Sequence, residues 1–253
     1  MSASGRVEFI RTIRRALDRG DSVPRSLDDI VPNEPDTDSL RLLETIAGRD
    51  RTAHLALLDR LMEAGQGVNV SVLTAKDGPA AASVITGIAA EKSAEWGDRK
   101  EVVAWDHPLV KGMALPACLA PLDIPVYFPD AGPVAAGRQS AFRRHAEAAF
   151  MGITSADYCI ADTATLTMKT RPGQPRCVSL LPSIHIAVIR LDRILTTFEE
   201  LYALLKWSPA EQAEGITRCM TFITGPSKTA DIEATLVHGV HGPRELYVFV
   251  LTG

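Results

Sequence analysis

The sequence predicts an α/β layered fold built on a largely parallel sheet. Three observations carry this. Val178 to Leu181 and Ile184 to Ile189 are near-continuous apolar runs, the pattern of strands buried on both faces. Short strand-like runs alternate with helical patterns from Val68 to Leu251. The 253 residues suffice for one sizeable α/β domain, alone or with a smaller appendage.

The elements follow in order. Residues 4–19 read as an amphipathic helix: Val7, Ile10, Ile13, Ala16 and Leu17 share a face, and five arginines lie mostly elsewhere. Such a face either docks on the protein body or binds a partner. Residues 21–38 carry Pro24, Pro32, Pro35 and six acids, which reads as an extended linker. Leu40 to Ala64 is helical with a break at Gly48. The expected organisation is therefore a helical extension with an acidic, Pro-containing linker over 1–64 and an α/β core over 65–253.

Within the core, Val68–Leu73, Val102–Trp105 and Ile124–Phe128 read as strands, and Leu109–Leu119 and Ser140–Met151 as helices. Tyr158–Ala161 and Leu166–Met168 look like adjacent short strands. Thr197–Lys206 is helical, Met220–Thr224 a strand, Thr229–Leu236 a helix, and Glu245–Leu251 a final strand.

Composition narrows the function. Hydrophobic residues make up 46% and charged residues 23%, an ordinary soluble balance. With a formal net charge of -4 and no basic block, nucleic acid is not an expected partner. The apolar runs are too short or too interrupted to span a membrane. Cys118, Cys159, Cys177 and Cys219 show no C-x-x-C spacing, so neither a zinc site nor an iron–sulfur cluster is expected. Scattered thiols and an N-terminus without an apolar h-region fit the cytoplasm. No G-x-G-x-x-G fingerprint stands out, and no cofactor is expected.

Three segments can carry chemistry. In Thr224-Gly225-Pro226-Ser227-Lys228-Thr229, a strand meets a turn and then the expected helix. Ser227 or Thr229 caps that helix, or its free N–H groups and Lys228 cradle an anion. The order of residues is not that of a P-loop. The second segment runs from Gly152 to Leu166. Asp162 ends an apolar strand at a hydroxyl-rich turn with Thr163, where a carboxylate serves either as base or nucleophile or as a turn partner for the backbone. The third is His238-Gly239-Val240-His241-Gly242-Pro243-Arg244, a sharply shaped loop. It lacks a third ligand near its two histidines, so a metal is not expected. His241 and Arg244 can face the cleft of Ser227 and Lys228. Arg176, at the end of Arg171-Pro172-Gly173-Gln174-Pro175-Arg176, can clamp a carboxylate or phosphate or pair with a surface acid. His185 opens an apolar strand, where a histidine is more often a hydrogen-bonded core residue than a catalyst.

Together these motifs resemble the LUD family, in particular its LutC/YkgG-type lactate utilisation members. The family pattern reads G-I-T-x-A-D-x-x-I-A-E-T-G-T-L, P-G-Q-P-R, S-L-L-P-x-x-H-I-A-V, G-P-S-x-T-A-D-I-E and G-V-H-G-P-R-E-L. Here it falls on Gly152–Leu166, Pro172–Arg176, Ser179–Val188, Gly225–Glu233 and Gly239–Leu246. Two positions depart: Asp162 stands for the family's glutamate and Ala164 for its glycine. The shorter carboxylate shifts its oxygens by about one methylene, and alanine tolerates φ > 0 poorly.

The resemblance implies a three-layer, mostly parallel sheet like the NagB/RpiA/CoA-transferase group. It also implies a role beside iron–sulfur oxidoreductase subunits in oxidising L-lactate to pyruvate. In that reading Asp162 is the catalytic candidate. Thr163, Arg176, His185, Ser227, Lys228, Thr229, His241 and Arg244 are the candidates for binding a small anionic metabolite. The alternatives are a free-standing CoA-transferase- or sugar-phosphate-isomerase-like enzyme and a module that binds an anionic metabolite.

Overall fold

The structure is a computed structural model that describes residues 8–9, 11–13, 34–95, 99–129, 136–215, 217, 219–232, 235–238 and 242–253. Residues 8, 9 and 11–13 are helical and exposed; the rest of the helix expected over 4–19 lies outside the described residues. Residues 41–253 form one compact unit.

Six parallel strands make the main sheet: β1 (Val70–Ala75), β2 (Val102–Ala104), β3 (Val126–Tyr127), β4 (Met151–Ser155), β7 (Ile184–Arg190) and β12 (Glu245–Leu251). Their order is β1-β12-β7-β4-β2-β3. One face packs on α3 (Gly78–Glu91), α4 (Pro108–Lys111) and α5 (Leu115–Leu119), through Ala81, Ala82, Ile85, Ala89, Val110 and Leu119. The other face takes α2 (Arg51–Gly67), α6 (Ala136–Ala148) and α7 (Cys177–Leu180), with Leu57, Leu58, Leu61, Ala146 and Val178 in its core. Full burial of a leucine such as Leu61 is worth about 1.5–3 kcal/mol.

A smaller sheet stands on that second face: β8 (Ile194–Leu195), β5 (Tyr158–Ile160), β6 (Thr165–Lys169) and β9 (Met220–Thr224), in that order. Strand alternation sends Cys159, Leu166 and Met168 into the main core. Tyr158 and Ile160 point the other way, to Leu201 of α8 (Phe198–Trp207) and to Ile46 of α1 (Thr37–Ala47). The last helix, α9 (Pro209–Glu214), follows directly.

Several sequence expectations change. Val178–Leu181 is not a strand; the short helix α7 occupies it, because a four-residue apolar run has no period to separate the two. Thr229–Leu236 is not a helix. Lys228–Ile232 and Thr235–His238 are strands β10 and β11, paired antiparallel with an irregularity between Thr229 and Ile232. Their Thr, Ile and Val content suits a strand. Helix α3 is an addition to the expected elements, although Asp77 caps it by accepting from Ala80 N and Pro79 sits in its first turn. Strands β4 and β8 and helix α9 are further additions. The helix expected to reach Met151 ends at Ala148, and β4 begins at Met151.

Gly152 in β4 has a steric reason to be glycine. A Cβ there would stand 1.8 Å from Val178 O and 2.9 Å from the Pro182 ring. The backbone of α7 therefore lies directly on the sheet. Gly152→Ala should destabilise the protein by about 3 kcal/mol or more, since the obstacle is backbone and cannot rotate away. Denaturant unfolding measures this; a cost under about 1 kcal/mol would show that α7 moves freely.

Candidate functional site

In open α/β sheets, ligands bind beyond the carboxyl ends of the strands, where neighbouring strands send their connections in opposite directions. Here that point lies between β2 and β4. The chain leaves β2 towards β3 on one side, while β4 leads towards β7 on the other. A cavity of about 720 Å³ opens there. His107 comes from the loop after β2, Pro108 and Leu109 from the start of α4, Ala156 and Asp157 from the turn after β4, and Tyr158 from the start of β5. Arg190 ends β7, and Arg171 and Gln174 come from the loop before α7.

The loop over 171–176 is fastened to the end of β2. Trp105 Nε1 donates to Pro175 O at 3.0 Å, and Asp106 N donates to Gly173 O at 3.0 Å. Gly173 has φ +77°, and a Cβ there would meet Asp106 Cβ at 3.0 Å, so both conformation and space favour glycine. Gln174 is thereby buried, and its Oε1 has no hydrogen-bond partner.

The charges of the cavity wall are largely spent on one another. Lys169, buried at the end of β6, reaches Glu211 at 2.5 Å and Glu214 at 2.6 Å. Arg171 holds Asp157 at 2.7 Å and Glu214 at 2.5 Å. Burial works against the Lys169 charge, but the hydrogen bonds to Glu211 and Glu214 outweigh it and raise its pKa. Arg171 and Lys169 bring Glu214 down to about 2, Arg171 contributing most. Tyr158 OH donates to Glu211 at 2.8 Å; burial first, then Glu211, pushes its phenol up, so it stays protonated.

His107 differs. Its Nδ1 accepts from Leu109 N at 3.2 Å, and burial lowers its pKa. The neutral ring then carries its proton on Nε2. His107 and Gln174 are thus uncharged polar groups of the wall with hydrogen-bonding capacity to spare. The cavity can bind and orient a polar ligand. No cysteine is among the described residues that line it, and away from it burial pushes the Cys159 thiol up to about 12 and raises that of Cys177.

The sequence-predicted residues lie elsewhere. Asp162 sits in the 3₁₀ turn Ala161–Thr163, where Arg60 of α2 meets its Oδ1 at 2.7 Å. The next residue but one, Ala164, adopts φ 48° and ψ 42°, the left-handed conformation that the family's glycine adopts without strain. Thr163, Thr165 and Thr224 form a hydroxyl chain, 2.7 Å at each step. Ser227 N donates to Pro243 O at 2.8 Å, and the exposed Lys228 starts a strand rather than a helix, so no helix N-terminus stands there to receive an anion. Arg244 pairs with Glu95 at 2.7 Å, and its N–H donates to Ser183 O, at the amino ends of β7 and β12. Arg176 is exposed ahead of α7. Thr229 lies in β10, and His241 lies outside the described residues.

The structure therefore joins Thr163 to Thr224, and Ser227 to the segment before Arg244. It gathers none of the described ones at the carboxyl-edge cavity. Asp157, Arg171 and Gln174 lie inside the motifs singled out in the sequence. Their pairing with His107 depends on the β2–β4 adjacency, which no local pattern encodes.

His185 is a core residue. It is 1% exposed in β7, its Nε2 lies 2.9 Å from Thr154 Oγ1, and its Nδ1 is unpartnered. Burial lowers its pKa to about 3. Below pH 6.5 the unfolded chain takes up a proton that the folded chain refuses, so stability present at neutral pH is lost as pH falls from 6.5 towards 3. The slope of unfolding free energy against pH should be visibly shallower in His185→Gln across this window. Equal slopes, by denaturant titration at several pH values, would show that the ring is protonated in the folded protein.

Comparisons with known proteins agree with the motifs. Residues 58–251 match the LUD domain. Lactate utilization protein C of Halalkalibacterium halodurans is 42% identical over 106 residues, covering 42% of this chain and 46% of that protein. Its namesake from Geobacillus sp. is 35% identical over 155 residues, covering 60% of this chain and 62% of that one. The chain thus spans about half the length of the first and under two thirds of the second. A crystal structure of a DUF162 family protein from Deinococcus radiodurans is 25% identical, with a TM-score of 0.47, covering 80% of this chain and 99% of that one.

Proposed function

Given that the chain belongs to the LUD domain family, we propose that it is a non-redox subunit of a lactate-oxidising system. It acts with iron–sulfur partner proteins and binds a small anionic metabolite at the carboxyl edge of its main sheet. The observation that carries this reading is the family match over 58–251 together with relatives named for lactate utilisation. The cavity between β2 and β4 supports it: His107 and Gln174 offer hydrogen bonds while the surrounding charges hold one another. Among the described residues no group of three or more His, Cys, Asp or Glu side chains is arranged to hold a metal ion. In this division of labour the partners carry the electrons.

Native co-purification and a lactate assay with an artificial electron acceptor test the proposal. Iron–sulfur proteins should travel with the chain, and lactate oxidation should require both. The isolated chain should be colourless and inactive. Lactate oxidation by the isolated chain, or stoichiometric flavin or cluster absorbance in it, would contradict the assignment. A free-standing transferase would also be recognised here, since it would purify alone.

A further inference from the structure

The crevice along the carboxyl edge has a second chamber with a different chemistry. It holds about 880 Å³ and is formed after β1, β12 and β7, where Lys76, Thr252 and Arg190 lie. The two chambers share Leu109, Arg190 and Asp192.

Arg49, Arg51 and Lys76 bring positive charge to its lining, and His54 adds an imidazole. The acids there have other tasks. Asp192 is gripped by Arg190, and Asp77 accepts from Ala80 N at 2.9 Å as the cap of α3. Arg51 and Lys76 are exposed and make no ion pair among the described residues.

Arg49 adds an independent indication. Its side chain is only 8% exposed. Nη2 bonds Glu200 at 2.5 Å and Thr196 Oγ1 at 2.8 Å, which fixes the guanidinium plane. Nη1 is buried and has no partner, and the same holds for Nδ1 of His54. A buried guanidinium N–H without an acceptor is costly, and Arg49 is one of the residues that line the chamber.

We infer that this second chamber binds the phosphate group of a small metabolite, through Arg49 Nη1, Arg51 and Lys76. The site goes beyond the proposed lactate role and stands whether or not that role holds. Several cationic donors around one group suit a phosphate, which offers three acceptor oxygens. The volume exceeds what inorganic phosphate alone would fill, which fits a phosphate ester as well as the free ion.

Calorimetric titration of the full chain with inorganic phosphate and with adenosine diphosphate tests this. Arg49 is left intact, because its other nitrogen is buried against Glu200. Lys76→Ala and Arg51→Ala remove exposed side chains and should preserve the fold, checked by circular dichroism. Each should weaken binding by about tenfold, the loss of one charge-assisted hydrogen bond. Lys228→Ala, at a distant strand, should bind as the parent does. Tighter binding of adenosine diphosphate than of phosphate would identify a phosphate ester as the natural ligand; equal binding would identify the free ion. Binding of neither, or equal binding by Lys76→Ala, Arg51→Ala and the parent, would overturn the inference.

Discussion

The contact between Gly152 and the backbone of Val178 constrains everything near the cavity. With no side chain at 152, helix α7 rests directly on strand β4. That position fixes the loop ahead of α7, which Trp105 and Asp106 then fasten to the end of β2. Arg171 and Gln174 reach the cavity wall only because the loop is held at both ends. Arg171 in turn aligns Asp157 and Glu214, and Lys169 completes the network. A backbone-to-backbone approach thus becomes a set of placed polar groups twenty residues further on. Lys169 is the buried member of this network, and its removal would leave Glu211 without its cation, whereas Arg171 and Glu214 are partly open to solvent, which screens their charges.

The carboxyl edge is electrically divided. Between β2 and β4 the charges cancel locally, and neutral donors and acceptors remain. Beyond β1 and β12 the cations exceed their partners. Arg190 and Asp192, tied to each other, stand at the boundary. One crevice can therefore hold two ends of a ligand, or two ligands, with different polarity at each end. The amino edge is occupied by ion pairs of its own: Glu95 with Arg244, and Lys92 with Glu245 at 2.7 Å.

Much of the fold was legible. β9 and β12 match their expected limits, and β5, β6 and β7 fall within a residue or two of theirs, because alternating or wholly apolar runs of five to seven residues define a strand well. α7 was not legible as a helix, since four residues carry no period. β10 and β11 read as a helix because Thr229 to Leu236 also permits helical spacing, and the acids near its start mimic a helix beginning. The site was less legible than the fold. Motif reasoning pointed at Asp162, Ser227 and Lys228, which lie at turns and strand starts. The cavity needed Asp157, Gln174 and His107, and only the strand order brings His107 beside the other two. At Ala164, where the family pattern has glycine, the chain adopts the positive φ that glycine tolerates more readily.

The central claim is that ligands bind at the carboxyl edge of the parallel sheet, between β2 and β4 and beyond β1. Backbone amide shift mapping by NMR during titration with pyruvate, and then with phosphate, addresses it directly. The account predicts that pyruvate shifts cluster at His107, Asp157 and Gln174, and that phosphate shifts cluster at Arg51, Lys76 and Gly78. Shifts clustered instead at Thr163, Ser227 and Lys228, or no shifts with either ligand, would contradict it.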